Sequence, residues 1–121
     1  MKHLILKVAP MLALCVASAH ASTPSLTAGR TLYRAHCMTC HRADGRGGVH
    51  FTHSVSADLR APGLERTYRH QDALIDRAIL LGRDQDDAPL HPPMPHWAGR
   101  LDKRQVHDVV AYLHTLRADR R

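Results

Sequence analysis

Two cysteines, three positions apart and followed at once by a histidine, are the residues of this chain best suited to chemistry. They lie in the run Cys37-Met38-Thr39-Cys40-His41. This C-x-x-C-H spacing is the attachment signature of haem c. Two thiols can add to the two vinyl groups of haem, and a two-residue spacer on one helical turn places both sulfurs beside one porphyrin edge. His41 can then bind the iron as the proximal ligand.

Other uses of a cysteine pair fit the chain less well. A thioredoxin-type redox pair needs a βαβ setting, and no such pattern surrounds Cys37 and Cys40. A closed zinc site needs four ligands, and with no second cysteine pair two scattered histidines would have to complete it. A disulfide across so short a loop would add little stability. Covalent haem is therefore the favoured interpretation.

The first 21 residues have the features of a secretory signal peptide. Lys2 and Lys7 give a positive start, residues 8–17 form a short apolar run, and residues 19–21 read A-H-A, a small-x-small cleavage pattern. The apolar run is too short to span a membrane comfortably. We therefore predict a signal peptide over residues 1–21 and no stable membrane span after its cleavage.

Export predicts a periplasmic protein whose single domain covers residues 22–121. Lipidation at Cys15 is the alternative, but bacterial lipoprotein signals resemble a pattern with a small residue before the cysteine, and Leu14 stands there. Cleavage after residue 21 removes Cys15 and leaves only the two cysteines of the attachment motif.

The chain is basic and poor in aromatic residues. Its formal net charge is +6 with histidines neutral, and aromatic residues make up 4%. The basic residues are dispersed, so neither their placement nor the few rings available for stacking bases favour a nucleic-acid partner. The charge instead favours redox-partner proteins with an acidic docking surface. Because large apolar residues are sparse, a flat apolar cofactor would also have to fill the core.

Hydrophobic periodicity predicts three main helices. The first begins after Ser25, a good N-cap, and leads into the cysteine pair. The second covers about residues 71–81, and Gly82 suits its C-terminal cap. The last begins after Asp102, for which Gln105 completes a capping box.

Glycine and polar positions add expectations about how these helices pack. Gly29 lies inside the first predicted helix, where glycine lowers helix stability by about 1 kcal/mol. Its missing side chain would allow another helix to approach closely. The glycine-rich run at 44–48 predicts a turn near the haem edge. Asp76 belongs to the polar side of the second helix, and His107 and Asp108 are interpreted as an exposed face of the last helix.

A proline-bracketed segment is predicted to present a metal-binding thioether. Residues 92–97 read P-P-M-P-H-W, so three prolines hold Met94 on a stiff, extended loop. His91 and His96 are rivals, since imidazole also binds haem iron, and the local geometry does not exclude His96. Met38 is badly placed because its backbone lies on the side of the proximal histidine.

These motifs, taken in their order along the chain, resemble those of bacterial monohaem class I cytochromes c. The resemblance covers nearly all of the chain after the predicted signal peptide. The matching pieces are Gly29 and Tyr33, the attachment motif at 37–41, and the segments 44–47, 74–82, 94–97 and 109–113.

The resemblance implies an all-α, cytochrome c-like fold of three to five helices around one covalently attached haem c, with the first and last helices crossing. It implies Cys37 and Cys40 as attachment residues and His41 and Met94 as axial ligands of the iron. It also suggests that a proline carbonyl, here that of Pro62, accepts a hydrogen bond from the His41 ring, because outer partners of this kind orient ligating histidines.

The expected function is single-electron transfer in the bacterial periplasm by a protein that is not an enzyme. His/Met ligation favours ferrous iron and raises its potential. One alternative is a cytochrome subunit of a periplasmic dehydrogenase or oxidase complex. The other is a haem-based sensor, which would need an open or exchangeable sixth site.

Overall fold

The fold is helical throughout the part of the chain that a computed structural model describes, residue 15 and residues 21–118. Its five helices are α1 (Leu26–His36), α2 (Met38–His41), α3 (Gly63–Thr67), α4 (Asp72–Leu81) and α5 (Lys103–Leu113). Extended pairing within this part is limited to isolated bridges. The predicted all-α fold of three to five helices is confirmed. Most of the predicted signal peptide lies outside the described residues.

Helices α1 and α5 begin with the caps that the sequence predicts. The Ser25 hydroxyl accepts a hydrogen bond from the backbone N–H of Ala28 at 3.2 Å. Asp102 accepts one from the backbone N–H of Gln105 at 2.8 Å, and the Gln105 side chain accepts one from the backbone N–H of Asp102 at 2.9 Å. Each cap satisfies N–H groups that the helix itself leaves unpaired.

Helices α1 and α5 cross at Gly29, as predicted. A methyl group added to Gly29 would overlap the backbone carbonyl oxygen of Asp108, so the two backbones meet because glycine has no side chain. One turn further along, the rings of Tyr33 and Tyr112 pack with their centroids 5.4 Å apart. This crossing forms one side of the core.

Asp108 is buried, so the interpretation of an exposed face is wrong for this residue. Only 2% of it is exposed, and its carboxylate accepts a hydrogen bond from the backbone N–H of Ser25 at 2.7 Å. His107 is exposed, as expected, and lies 3.0 Å from the carboxylate of Asp76. Asp76 is itself buried rather than on an open polar face, because α5 packs over that side of α4.

His114, which directly follows α5, joins three helices. Its Nδ1 lies 2.9 Å from the Glu65 carboxylate on α3, and its Nε2 lies 2.8 Å from the Asp72 carboxylate at the start of α4. Partial burial disfavours the charged ring, but the hydrogen bonds to the two carboxylates outweigh it and raise the pKa of His114. The imidazolium, which has a proton on each nitrogen, is the form that can donate to both.

Candidate functional site

A cavity of about 550 Å³ lies between the helices and two long loops. Its wall includes Cys37, Cys40, His41 and Met94, the four side chains that the sequence singled out. The rest is mostly apolar, with contributions from α3, α4 and the end of α5, among them Leu64, Ile75, Ala78, Ile79 and Leu113. Cofactor sites occupy roughly 300–1,000 Å³ and are lined mainly by apolar side chains. This chain therefore has room for a flat apolar group beside the cysteine pair.

Cys37 directly precedes the single turn of α2, and Cys40 lies on that turn. The backbone carbonyl of Cys37 accepts hydrogen bonds from the N–H groups of Cys40 at 3.2 Å and His41 at 2.9 Å, and neither cysteine forms a disulfide. Burial, and next the neighbouring Cys40, raises the pKa of Cys37 to about 11. A thioredoxin-type pair needs a stabilised thiolate, so a half-buried thiol whose pKa is raised does not fit that alternative.

His41 is buried, and the backbone carbonyl of Ala57 orients its ring. Nδ1 of the ring lies 2.9 Å from that oxygen. A carbonyl can only accept, so Nδ1 carries the proton and Nε2 has a free lone pair. Burial lowers the pKa of His41, although the bond to Ala57 opposes this. The ring is therefore neutral and presents one nitrogen to a metal.

The prediction that Pro62 accepts this hydrogen bond is wrong. Pro62 is the N-cap residue of α3, and its carbonyl accepts a bond from the backbone N–H of Arg66 at 3.1 Å. Ala57, five positions earlier, takes the role instead. The spacing between the attachment motif and the following loop is not fixed by any local pattern, so the motif alone does not identify the acceptor.

The glycine-rich turn explains why Ala57 lies there. A methyl group on Gly47 would overlap the carbonyl of Ala57, and Gly47 has a φ of +61°. The backbone N–H of Gly47 donates to the carbonyl of His41 at 3.0 Å, and that of Gly48 donates to the carbonyl of Ser56 at 2.9 Å. The turn thus holds residues 56–57 against the proximal histidine. The sequence predicts this turn but not the segment that it positions.

Met94 lines the cavity, whereas two of its three rivals do not. His91 also contributes to the cavity wall, but His96 and Met38 are absent from it. The His96 ring packs against Gly82 at the end of α4, where a methyl group would overlap it. Of the three rivals, only His91 therefore lies on the cavity wall, to which His36 and His53 also contribute imidazoles.

The loop that carries Met94 is attached to the rest of the fold on both sides. The Ser54 hydroxyl donates to the carbonyl of Pro92 at 2.7 Å. The backbone N–H of Trp97 donates to the carbonyl of Ile79 on α4 at 3.0 Å. These bonds hold the thioether beside the cavity and limit the entropy that ligand binding would cost.

The family model of cytochrome c matches residues 26–117, a span that includes all five helices and the whole cavity wall. The chain belongs to the cytochrome c family. Haem c is accordingly its covalently bound cofactor, and electron transfer is the function of this domain. The predicted resemblance is confirmed, and so is the crossing of the first and last helices that it implied.

Two curated relatives are subunits of cbb3-type cytochrome c oxidases. The chain is 31% identical over 100 residues to a cbb3-type cytochrome c oxidase subunit, FixPc, of Rhizobium leguminosarum bv. viciae, which covers 78% of this chain and 29% of the relative. It is 27% identical over 99 residues to the corresponding FixP subunit of Rhizobium etli, covering 78% and 30%. The chain thus spans about three tenths of the length of these relatives.

The described residues contain no helix of the length and apolarity that a membrane span requires.

Proposed function

We propose that haem c is attached through Cys37 and Cys40, that His41 and Met94 are its axial ligands, and that the protein is a one-electron carrier of the bacterial periplasm. The observation that carries this proposal is that all four side chains line one apolar cavity. The bound iron supplies the chemistry, which is a change of one electron between its ferrous and ferric states.

His41 and Met94 would determine which of those states is favoured. His41 offers Nε2, since its Nδ1 is occupied by Ala57. Met94 offers a soft thioether, which stabilises ferrous iron and raises the potential. The apolar wall acts in the same direction, because exclusion of water disfavours the extra positive charge of ferric iron.

The amino-terminal sequence supports the proposed location. A cleavable signal peptide over residues 1–21 would deliver a mature domain of residues 22–121 to the periplasm, where haem is attached. All of the residues that the proposal uses hold or orient the cofactor, and none is assigned to a substrate. We therefore propose a carrier rather than an enzyme.

The test is to express the full chain with a haem-attachment system and purify it from the periplasm. We expect a polypeptide that starts at Ser22, with a mass greater than that of residues 22–121 by one haem. The haem should stay with the protein in acidified acetone. Extractable haem, or a protein that retains its first 21 residues, would contradict the corresponding part of the proposal.

An acidic docking surface on the redox partner is proposed from the positive net charge, which is +6 for the full chain and +4 once residues 1–21, with Lys2 and Lys7, are removed. Attraction between exposed charges is screened beyond about 10 Å at 0.1 M salt. Association with such a partner should therefore slow as salt rises. A rate that is independent of salt would favour apolar docking instead.

A second candidate function is a cytochrome subunit of an oxidase complex of the cbb3 type. The names of the two curated relatives favour it. Purification from native membranes under mild detergent tests it, because a subunit would remain with oxidase activity through size exclusion whereas a diffusing carrier would separate from it.

A further inference from the structure

We propose that the surface formed by Trp97, Arg100 and His36 is where an acidic redox protein docks and where the electron enters or leaves the domain. The proposal rests on the electron-carrier function above and adds the place and chemistry of the contact. Its basis is an exposed arginine held over an aromatic ring that forms part of the cofactor cavity.

Trp97 connects the cavity with the outer surface. Its side chain lines the cavity, and 8% of the residue is exposed. The backbone N–H of Trp97 donates to Ile79, and the next N–H, that of Ala98, donates to Leu80, each at 3.0 Å. These bonds hold the backbone at Trp97 against α4, at a position from which the indole lines the cavity.

Arg100 covers the outer face of this indole. Its guanidinium carbon lies 4.3 Å from the ring centroid, within the range of a cation–π contact. A tight turn maintains the contact, since the N–H groups of Arg100 and Leu101 both donate to the carbonyl of Trp97 at 2.9 Å. The guanidinium is therefore oriented before any partner binds, which lowers the entropy cost of docking.

Arg100 is also available to a partner. The residue is exposed, and within the described chain its side chain pairs with no carboxylate, unlike Arg60, Arg69 and Arg77, which pair with aspartates. A planar guanidinium binds a carboxylate through two parallel hydrogen bonds. The matching partner surface thus carries aspartate or glutamate.

His36 extends this surface to the attachment motif. Its ring meets the edge of Trp97 with the centroids 5.1 Å apart, and it is exposed while also contributing to the cavity wall. It is the last residue of α1 and directly precedes Cys37. A partner on this surface therefore contacts both segments that hold the cofactor, the attachment helix and the Met94 loop.

With haem bound, one electron would pass from ferrous iron to the oxidised centre of the partner, or from the reduced centre of the partner to ferric iron. No bond forms or breaks and no proton is required. A partner bound at Arg100 would be close to the cavity, because only the Arg100 guanidinium and the Trp97 indole beneath it lie between them.

The test uses reduced holoprotein and two small oxidants of opposite charge, ferricyanide and tris(phenanthroline)cobalt(III), in stopped-flow mixing at low salt. Arg100→Glu is compared with Arg30→Glu, which makes the same charge change on α1, more than one turn before His36, at a residue outside the cavity wall. Arg100→Glu should slow ferricyanide about tenfold more than the control does and should accelerate the cobalt complex, because local charge controls the encounter rate. Both differences should vanish at 1 M salt, where screening acts within about 3 Å.

Equal effects of the two variants on both oxidants would overturn the proposal. Failure of the unmodified protein to react with either oxidant would instead overturn the carrier function. Absorbance spectra and potentials should match among the variants, and Arg100→Lys should keep most of the ferricyanide rate. If Arg100→Glu does not accumulate, Arg100→Gln and Arg30→Gln provide the same comparison without a new charge.

Discussion

Gly29 on α1 lies directly against the backbone carbonyl of Asp108 on α5, with no space for even a methyl group between them. The contact links residues near opposite ends of the domain. It also places Tyr33, one turn later, against Tyr112. The last helix of the fold therefore positions α1, the helix that leads into the cysteine pair.

Gly29→Ala should destabilise the holoprotein by about 1–3 kcal/mol, the usual cost of forcing an extra group into a packed site. Alanine would favour the isolated helix by about 1 kcal/mol, so the observed sign shows which effect dominates. Urea unfolding at neutral pH measures it. Gly63→Ala is the control, because nothing lies near its added methyl group. Unchanged or higher stability of Gly29→Ala would show that the helices can separate without loss.

Met94→Ala should abolish the weak far-red charge-transfer band of an iron–thioether bond in ferric protein and should lower the reduction potential. Replacement of the thioether removes the ligand that stabilises ferrous iron. His91→Ala is the sharpest control, since His91 lines the same cavity, and it should retain the band, as should His96→Ala. Absence of the band from the unmodified ferric protein would make a histidine of the cavity wall, such as His91, the candidate ligand, and a band that survives in Met94→Ala would show that another thioether binds the iron.

The protein without haem should not fold stably. Without haem the mostly apolar wall of the cavity, which has a volume of about 550 Å³, would face water instead of the cofactor, and so small a domain has little other apolar burial to offset the entropy of ordering its chain. Cys37→Ala with Cys40→Ala should therefore lose most helical circular dichroism and cooperative unfolding. A helical, cooperatively unfolding double variant would show that the walls collapse onto each other.

His114→Ala should destabilise the protein in a pH-dependent way. The pKa of His114 is raised above its ordinary 6.5, so its contribution is complete below about that pH and is lost as pH rises through the higher folded value. The pKa of Glu65 is lowered from 4.5 by the bond to His114, so the pair weakens again when pH falls through that lower value.

The stability lost in His114→Ala should thus be greatest near pH 5.5, at about 1 kcal/mol because the pair is only partly buried, and smallest at pH 9. Urea unfolding across this range measures it. His50→Ala, at an exposed residue, is the control and should show no such trend. A loss that is the same at both pH values would mean that packing, not the proton, accounts for the role of His114.

Much of this protein follows from its sequence because the relevant interactions are local. The Ser25 and Asp102 caps depend on groups three residues apart. The attachment motif fits within one helical turn. Helical period and prolines likewise identify α4, α5 and the stiff loop around Met94. Such features need no knowledge of the chain beyond a few neighbouring residues.

The tertiary structure decided the contacts between distant segments. The acceptor for His41 is Ala57, 16 positions away, and Asp108 pairs with the backbone of Ser25 across 83 positions. Nothing near Ala57 distinguishes its carbonyl, and nothing near Asp108 shows that α1 covers it. The choice between Met94 and His96 likewise depends on packing, because the His96 ring lies against Gly82 at the end of α4 while Met94 lines the cavity. Helical period indicates which residues are apolar, but only packing determines which polar groups it buries and what they then bind.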